Sequence, residues 1–204
     1  MLSATDTVTH GPTFNGLPIQ ARPCYGVRTG IIEVLQELFK QMEDQFGAFV
    51  VVMLSIRVPP GVVFADSNHA IKRLCSQFAE YLAQQGIEAQ YVWVRLHPEY
   101  PSDPHYVAVL LAEACYVLDP GIHLAHANGL WAQCIESTQR DGLIRYCNLE
   151  CAPLAVPVLK LPMDGQDFHG SYERSFRALS RLAHIEGSGD GSEDASAYGS
   201  SLPS

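Results

Sequence analysis

Tyr91-Val92-Trp93-Val94-Arg95-Leu96, a loop from Pro98 to Pro104, and then His105-Tyr106-Val107-Ala108-Val109-Leu110-Leu111 is the stretch that decides the fold. Both runs are rich in β-branched and aromatic residues, and Pro, Asp and Ser separate them. The loop is too short for a crossover helix, so the two strands are expected to pair antiparallel. In the first run Tyr91, Trp93 and Arg95 share one face, and Val92 and Val94 share the other. The second run is apolar from His105 to Ala112.

Upstream, Ile31, Val34, Leu35, Leu38, Phe39 and Met42 recur at helical spacing within 28–46, with Glu33, Gln36, Glu37 and Lys40 between them. Gly47 is the expected stop. Residues 48–58 are Val- and Ile-rich and read as a buried strand, closed by Pro59-Pro60-Gly61. Asp66 or Ser67 is the expected cap of a second helix, whose inner stripe is Ile71, Leu74, Cys75, Phe78, Tyr81 and Leu82 and which ends at Gly86. Downstream, a third helix is expected from His126 or Asn128, carrying Leu130, Trp131, Cys134 and Ile135 and ending before Gly142. Strand-like runs follow at 143–147 and 156–161, and Tyr172, Phe176, Leu179 and Ala183 mark a last helix. The order strand, helix, strand, strand, helix, strand is that of the split βαβ plan. It predicts an α+β fold, ferredoxin-like, with an antiparallel sheet covered by helices on one face. Residues 1–26 read as an extended arm, 27–185 as one domain, and 186–204 as a disordered acidic Gly/Ser tail.

Of the 204 residues 47% are apolar and 17% charged, which suits one folded domain and excludes wholesale disorder. The net charge is −9, and the tail's Glu186, Asp190, Glu193 and Asp194 carry four of those charges. A protein holding duplex DNA mainly by its phosphates is ordinarily basic, so a nucleic-acid role here needs a local patch. The first twenty residues lack the basic start and apolar run of a secretory signal, and the longest apolar stretch, 48–56, is too short to span a bilayer. A cytoplasmic protein that does not associate with membranes is therefore expected. Cys24, Cys75, Cys115, Cys134, Cys147 and Cys151 lie scattered in apolar segments and read as reduced thiols. Cys147 and Cys151 have the spacing of half a zinc site, but no second pair follows them.

The paired runs resemble the central strands of the inovirus-type replication initiators, the family that includes the YagK/YfjJ-like prophage proteins. That family is similar to the HUH endonucleases, which nick single-stranded DNA. Its pattern is Trp-Val-Arg-Glu on one strand and His-Tyr-His on the next. The segment 176–184 resembles the family's Ser-Tyr-Leu-Ala-Lys helix, and Tyr198-Gly199-Ser200-Ser201 resembles its Phe-Gly-x-Ser ending. The resemblance covers about residues 30–201 in the family's order. It implies a site in which two histidines and a third polar ligand hold Mg²⁺ or Mn²⁺, the cation polarises the scissile phosphate, and a tyrosine attacks it.

This chain departs from that set. His105 is present, but Val107 stands at the second histidine, Leu96 at the glutamate, Arg181 at the tyrosine and His184 at the lysine. No acidic residue lies near Ser55. Arginine stays protonated and cannot be the nucleophile. His97, Asp103 and His105 flank one loop and are the substitute metal ligands to consider, against a reading as surface polar residues. Tyr172 is the substitute nucleophile, against a place in the core. Trp93, Arg95 and Arg181 are the candidates for nucleic-acid contact. The expectation is a catalytically degenerate relative that binds single-stranded DNA or another protein. Its alternatives are an active metal-dependent nicking protein and an acidic interaction module reusing the fold.

Overall fold

The computed structural model describes residues 7–20, 26–60, 62, 68–96, 105–115, 119–147, 159–161, 168–183 and 198–202. Strand β1 (Val8–Thr9) pairs with β4 (Val27–Arg28), and between them β2 (Thr13–Phe14) and β3 (Leu17–Pro18) form a hairpin. Its turn is Asn15-Gly16 with φ of 48° and 83°, the pair favoured where both central residues need positive φ. The arm expected to be merely extended is thus folded over 7–20. Ile19 is buried, and the Gln20 amide donates to Ser180 Oγ at 2.8 Å.

Helix α1 (Thr29–Phe46) buries Ile31, Ile32, Leu35, Leu38, Phe39 and Met42, the stripe its spacing predicts. Gly47, at φ 68°, ends it by donating its amide to the Glu43 carbonyl. Then come β5 (Phe49–Arg57), α2 (His69–Gln84), β6 (Ala89–Leu96), β7 (His105–Glu113), α3 (Pro120–Cys134), β8 (Ile144–Tyr146) and β9 (Leu159–Leu161). Helix α4 (Phe168–Leu179) tightens into a 3-10 turn, Ser180–Ala183, and β10 (Tyr198–Ser200) follows. The main sheet runs β10–β6–β7–β5–β8, with β9 also on β5, and every pairing is antiparallel. The fold is mixed α+β. The expected β6–β7 pair is present, from Ala89 opposite Ala112 to Leu96 opposite His105.

Helices cover both faces of this sheet, not the one face expected. Even-numbered residues of β5 and β7 (Val50, Val52, Leu54 and Ile56; Tyr106, Ala108 and Leu110) face α2 and α3. Odd-numbered ones (Phe49, Val51 and Met53; Val107, Val109 and Leu111) face α1 and α4. The physical reason lies in the strands: β5 and β7 are apolar at nearly every position, so each face must be taken out of water. Each Leu or Phe so buried contributes about 1.5–3 kcal/mol.

Helix α3 begins six or more residues before the expected start, with Pro120 in its first turn, where a missing N–H costs nothing. Asn128, expected near the start of that helix, is buried in it. It donates to the Leu124 and Ile144 carbonyls and accepts from the Leu143 and Ile144 amides, all at 2.9–3.0 Å, so one side chain fixes β8 to α3. The acidic tail, expected to lack order throughout, contributes β10 at the sheet edge. Gly199 lies opposite Trp93, and a Cβ there would stand 2.7 Å from the indole ring. Low apolar content conceals this strand in the sequence, because backbone pairing and the indole packed on Gly199 hold it.

Candidate functional site

The register of β5, β6, β7 and β8 brings several polar residues to one end of the sheet, on the α1/α4 face. His105 opens β7 opposite Leu96 and Arg57. Two residues in from Arg57, Ser55 lies opposite Val107 on one side and Arg145 on the other. Ser55 Oγ and His105 Nε2 are hydrogen-bonded at 2.8 Å. Ser55 is buried, His105 half-buried, and Arg57 and Arg145 are exposed. Neither guanidinium has a hydrogen-bond or ion-pair partner among the described residues. Fifty residues separate Ser55 from His105 in the chain, and no local motif joins them. Only the strand register does, so sequence reading singles out His105 and passes over Ser55, Arg57 and Arg145.

The described residues around His105 do not by themselves make a divalent-cation site. Val107 is fully buried in the α1/α4 core, Leu96 packs on the same core, and one imidazole nitrogen is engaged by Ser55. No group of three His, Cys, Asp or Glu side chains suited to a metal occurs among the described residues. His97 and Asp103, the proposed substitutes, lie outside the described residues, as does Cys151, the partner considered for Cys147.

Tyr172 is buried, its ring edge-on to Phe39 at 5.1 Å and stacked on Phe176 at 6.2 Å. Phe39 in turn packs on Phe49, the first residue of β5, whereas His105 pairs with Arg57, the last. Those two strand positions are about 26 Å apart at the rise of an extended chain. The structure therefore does not bring Tyr172 to His105. Burial, reinforced by Glu43, pushes the Tyr172 hydroxyl up to about 12, which keeps it protonated at neutral pH.

Trp93 and Arg95 are 1% and 4% exposed and lie on the α2/α3 side of the sheet, away from His105. With both indole faces packed inside, Trp93 has none to offer a base. Arg181 is half-buried on the 3-10 turn after α4. Arg174 and Arg177 are exposed, and their spacing puts all three arginines along one side of this helix. His184 lies outside the described residues.

Comparison with family models gives no match, and neither the curated proteins nor the solved structures show a match to the chain. No helix among the described residues is long and apolar enough to cross a membrane.

Proposed function

We propose that this protein is a catalytically degenerate relative of the inovirus-type replication initiators, which binds single-stranded DNA without cutting it. The observation that carries the reading is the β6–β7 hairpin: His105 is kept, while the second-histidine and glutamate positions are occupied by Val107 and Leu96, both packed into the core. Two further features support it. The strands β8–β5–β7–β6, joined through α2 and α3, have the order of the split βαβ plan, as an HUH-endonuclease-like ancestry requires. Arg174, Arg177 and Arg181 supply the local positive strip that a chain of charge −9 needs to hold a phosphate backbone. An origin in a phage or mobile element and a cytoplasmic location belong to the same reading.

The test is incubation of labelled single-stranded DNA with the full chain and Mn²⁺ or Mg²⁺, resolved on native and denaturing gels. The expected result is a salt-sensitive complex and no covalent adduct. An adduct that disappears in Tyr172→Phe would favour the active nicking protein. Absence of any complex would leave binding of a protein partner.

A further inference from the structure

We infer that the sheet end around Ser55 and His105 is an anion site that takes a phosphate group directly, without a metal. This deepens the nucleic-acid reading and rests on it only for the source of the phosphate. The four polar side chains involved are a hydroxyl, an imidazole and two guanidiniums, with no carboxylate among them. Directly opposed residues in antiparallel strands have Cβ atoms about 4.5–5.5 Å apart. Ser55 therefore has Arg145 at its side, and His105 has Arg57.

The two arginines are close to each other as well. The Arg57 amide donates to the Leu143 carbonyl at 2.9 Å, which continues the β5–β8 ladder and leaves Arg57 diagonal to Arg145 on one face. Diagonal neighbours of this kind are about 7–8 Å apart. Arg145 Nη2 reaches over Gly142, 3.4 Å from where a Cβ would stand, and so points toward that end of the ladder. Two like charges at this spacing repel, and neither has a counter-charge among the described residues. A phosphate held between them removes the repulsion and accepts guanidinium N–H bonds, for which the planar fork of arginine is suited. Ser55 stands on the buried side, its Oγ hydrogen-bonded to His105 Nε2; with the imidazole donating in that bond, the hydroxyl proton is left to turn to the phosphate. Among the described residues, the charge of the site is the inverse of that of a carboxylate-bearing metal centre.

The experiment uses the full chain with two probes, inorganic phosphate by calorimetry and a short labelled oligothymidylate by anisotropy across a salt series. Arg57→Gln and Arg145→Gln are both exposed changes, and circular dichroism checks that the variants remain folded. The expected result is phosphate binding that weakens roughly tenfold in each single variant, in line with removal of one charge-assisted bond, and vanishes in the double variant. The salt slope for the oligonucleotide should fall by about 0.7 for each DNA phosphate that is no longer neutralised. Ser55→Ala should weaken phosphate binding less than either arginine change. If phosphate binding is abolished in the variants but the wild type ignores the oligonucleotide, the anion site stands, its ligand is a free phosphate, and the DNA reading falls. If the oligonucleotide binds wild type and double variant with equal affinity and slope, the anion site is overturned and the DNA reading survives. Failure of the wild type to bind inorganic phosphate, or binding of Mn²⁺ that depends on His105, also overturns it.

Discussion

At the scale of single residues, the molecule shows how burial decides what a side chain can do. Val107 shares a face with His105, so a histidine there would point the right way for a two-imidazole platform. Yet the position is fully buried, facing α1 and α4. Val107→His would place a polar ring where valine packs, at a cost of about 1–3 kcal/mol for an unsatisfied buried group. A lower melting temperature is the expected outcome. Unchanged stability together with new Mn²⁺ affinity would show that the site can still be rebuilt. His123 is the other instructive residue. It is buried, with Tyr81 Oη 3.4 Å from its Nδ1, and burial, the leading cause, together with nearby His126 lowers its pKa below the ordinary histidine value against the pull of Asp119. Because the folded state holds this proton less tightly than the unfolded chain, His123 contributes stability that is complete above about pH 6.5 and is lost as pH falls below it. His123→Gln should flatten that part of the melting-temperature profile between neutral pH and pH 5.5. An identical profile in the variant would remove His123 as the cause.

At the scale of elements, legibility follows periodicity. The helical stripe of α1, the β-rich runs of β5, β6 and β7, and the inner stripe of α2 are all readable, because each element carries its own burial pattern. Helix α3 reads short because Gly121, His123 and Gly129 interrupt its apolar spacing, and the cue at Pro120 depends on knowing where the helix starts. Strand β10 is unreadable for a different reason: Tyr198, Gly199 and Ser200 acquire their structure from β6. Ser201 then adds a clamp, its amide donating to the Tyr91 carbonyl while its hydroxyl accepts from the Tyr91 amide, both at 3.0 Å. Gly199→Ala tests this strand. A Cβ 2.7 Å from a buried indole cannot be relieved by moving a flexible tip, so β10 must lift from Trp93. The expected outcomes are faster amide exchange at Tyr91 and Trp93, the β6 amides that face β10, and a modest loss of stability, with the rest of the sheet unchanged. Slow exchange retained at those amides would show that the edge accommodates the methyl. The Ser55–His105–Arg57–Arg145 cluster is hidden at this scale too, since it spans three strands and exists only in their register.

At the scale of the whole molecule, two hydrophobic cores share one sheet, and the question is whether they are one cooperative unit. Strands β5 and β7 supply alternate residues to each core, so removing either helical layer would expose one entire face of the central strands. No layer can then leave without stripping the support of the other, and unfolding should be all-or-none. The chain carries its own probe for this. Both tryptophans, Trp93 and Trp131, lie in the α2/α3 core and neither in the α1/α4 core, whereas far-ultraviolet circular dichroism reports on all the helices. Leu38→Ala on α1 and Leu82→Ala on α2 each remove a fully buried side chain, with an expected cost of about 2–5 kcal/mol. If the sheet couples the layers, Leu38→Ala lowers the tryptophan-fluorescence midpoint as much as the dichroism midpoint, although it lies on the face away from both indoles. The two substitutions should also add to within about 0.5 kcal/mol, because the sheet keeps the two side chains apart. A dichroism transition that precedes the fluorescence transition in Leu38→Ala would instead show α1 and α4 leaving a core that α2, α3 and the sheet maintain alone. The Ser55–His105 end of the sheet would then lose its cover before the protein unfolds, and phosphate affinity would fall over that same first transition.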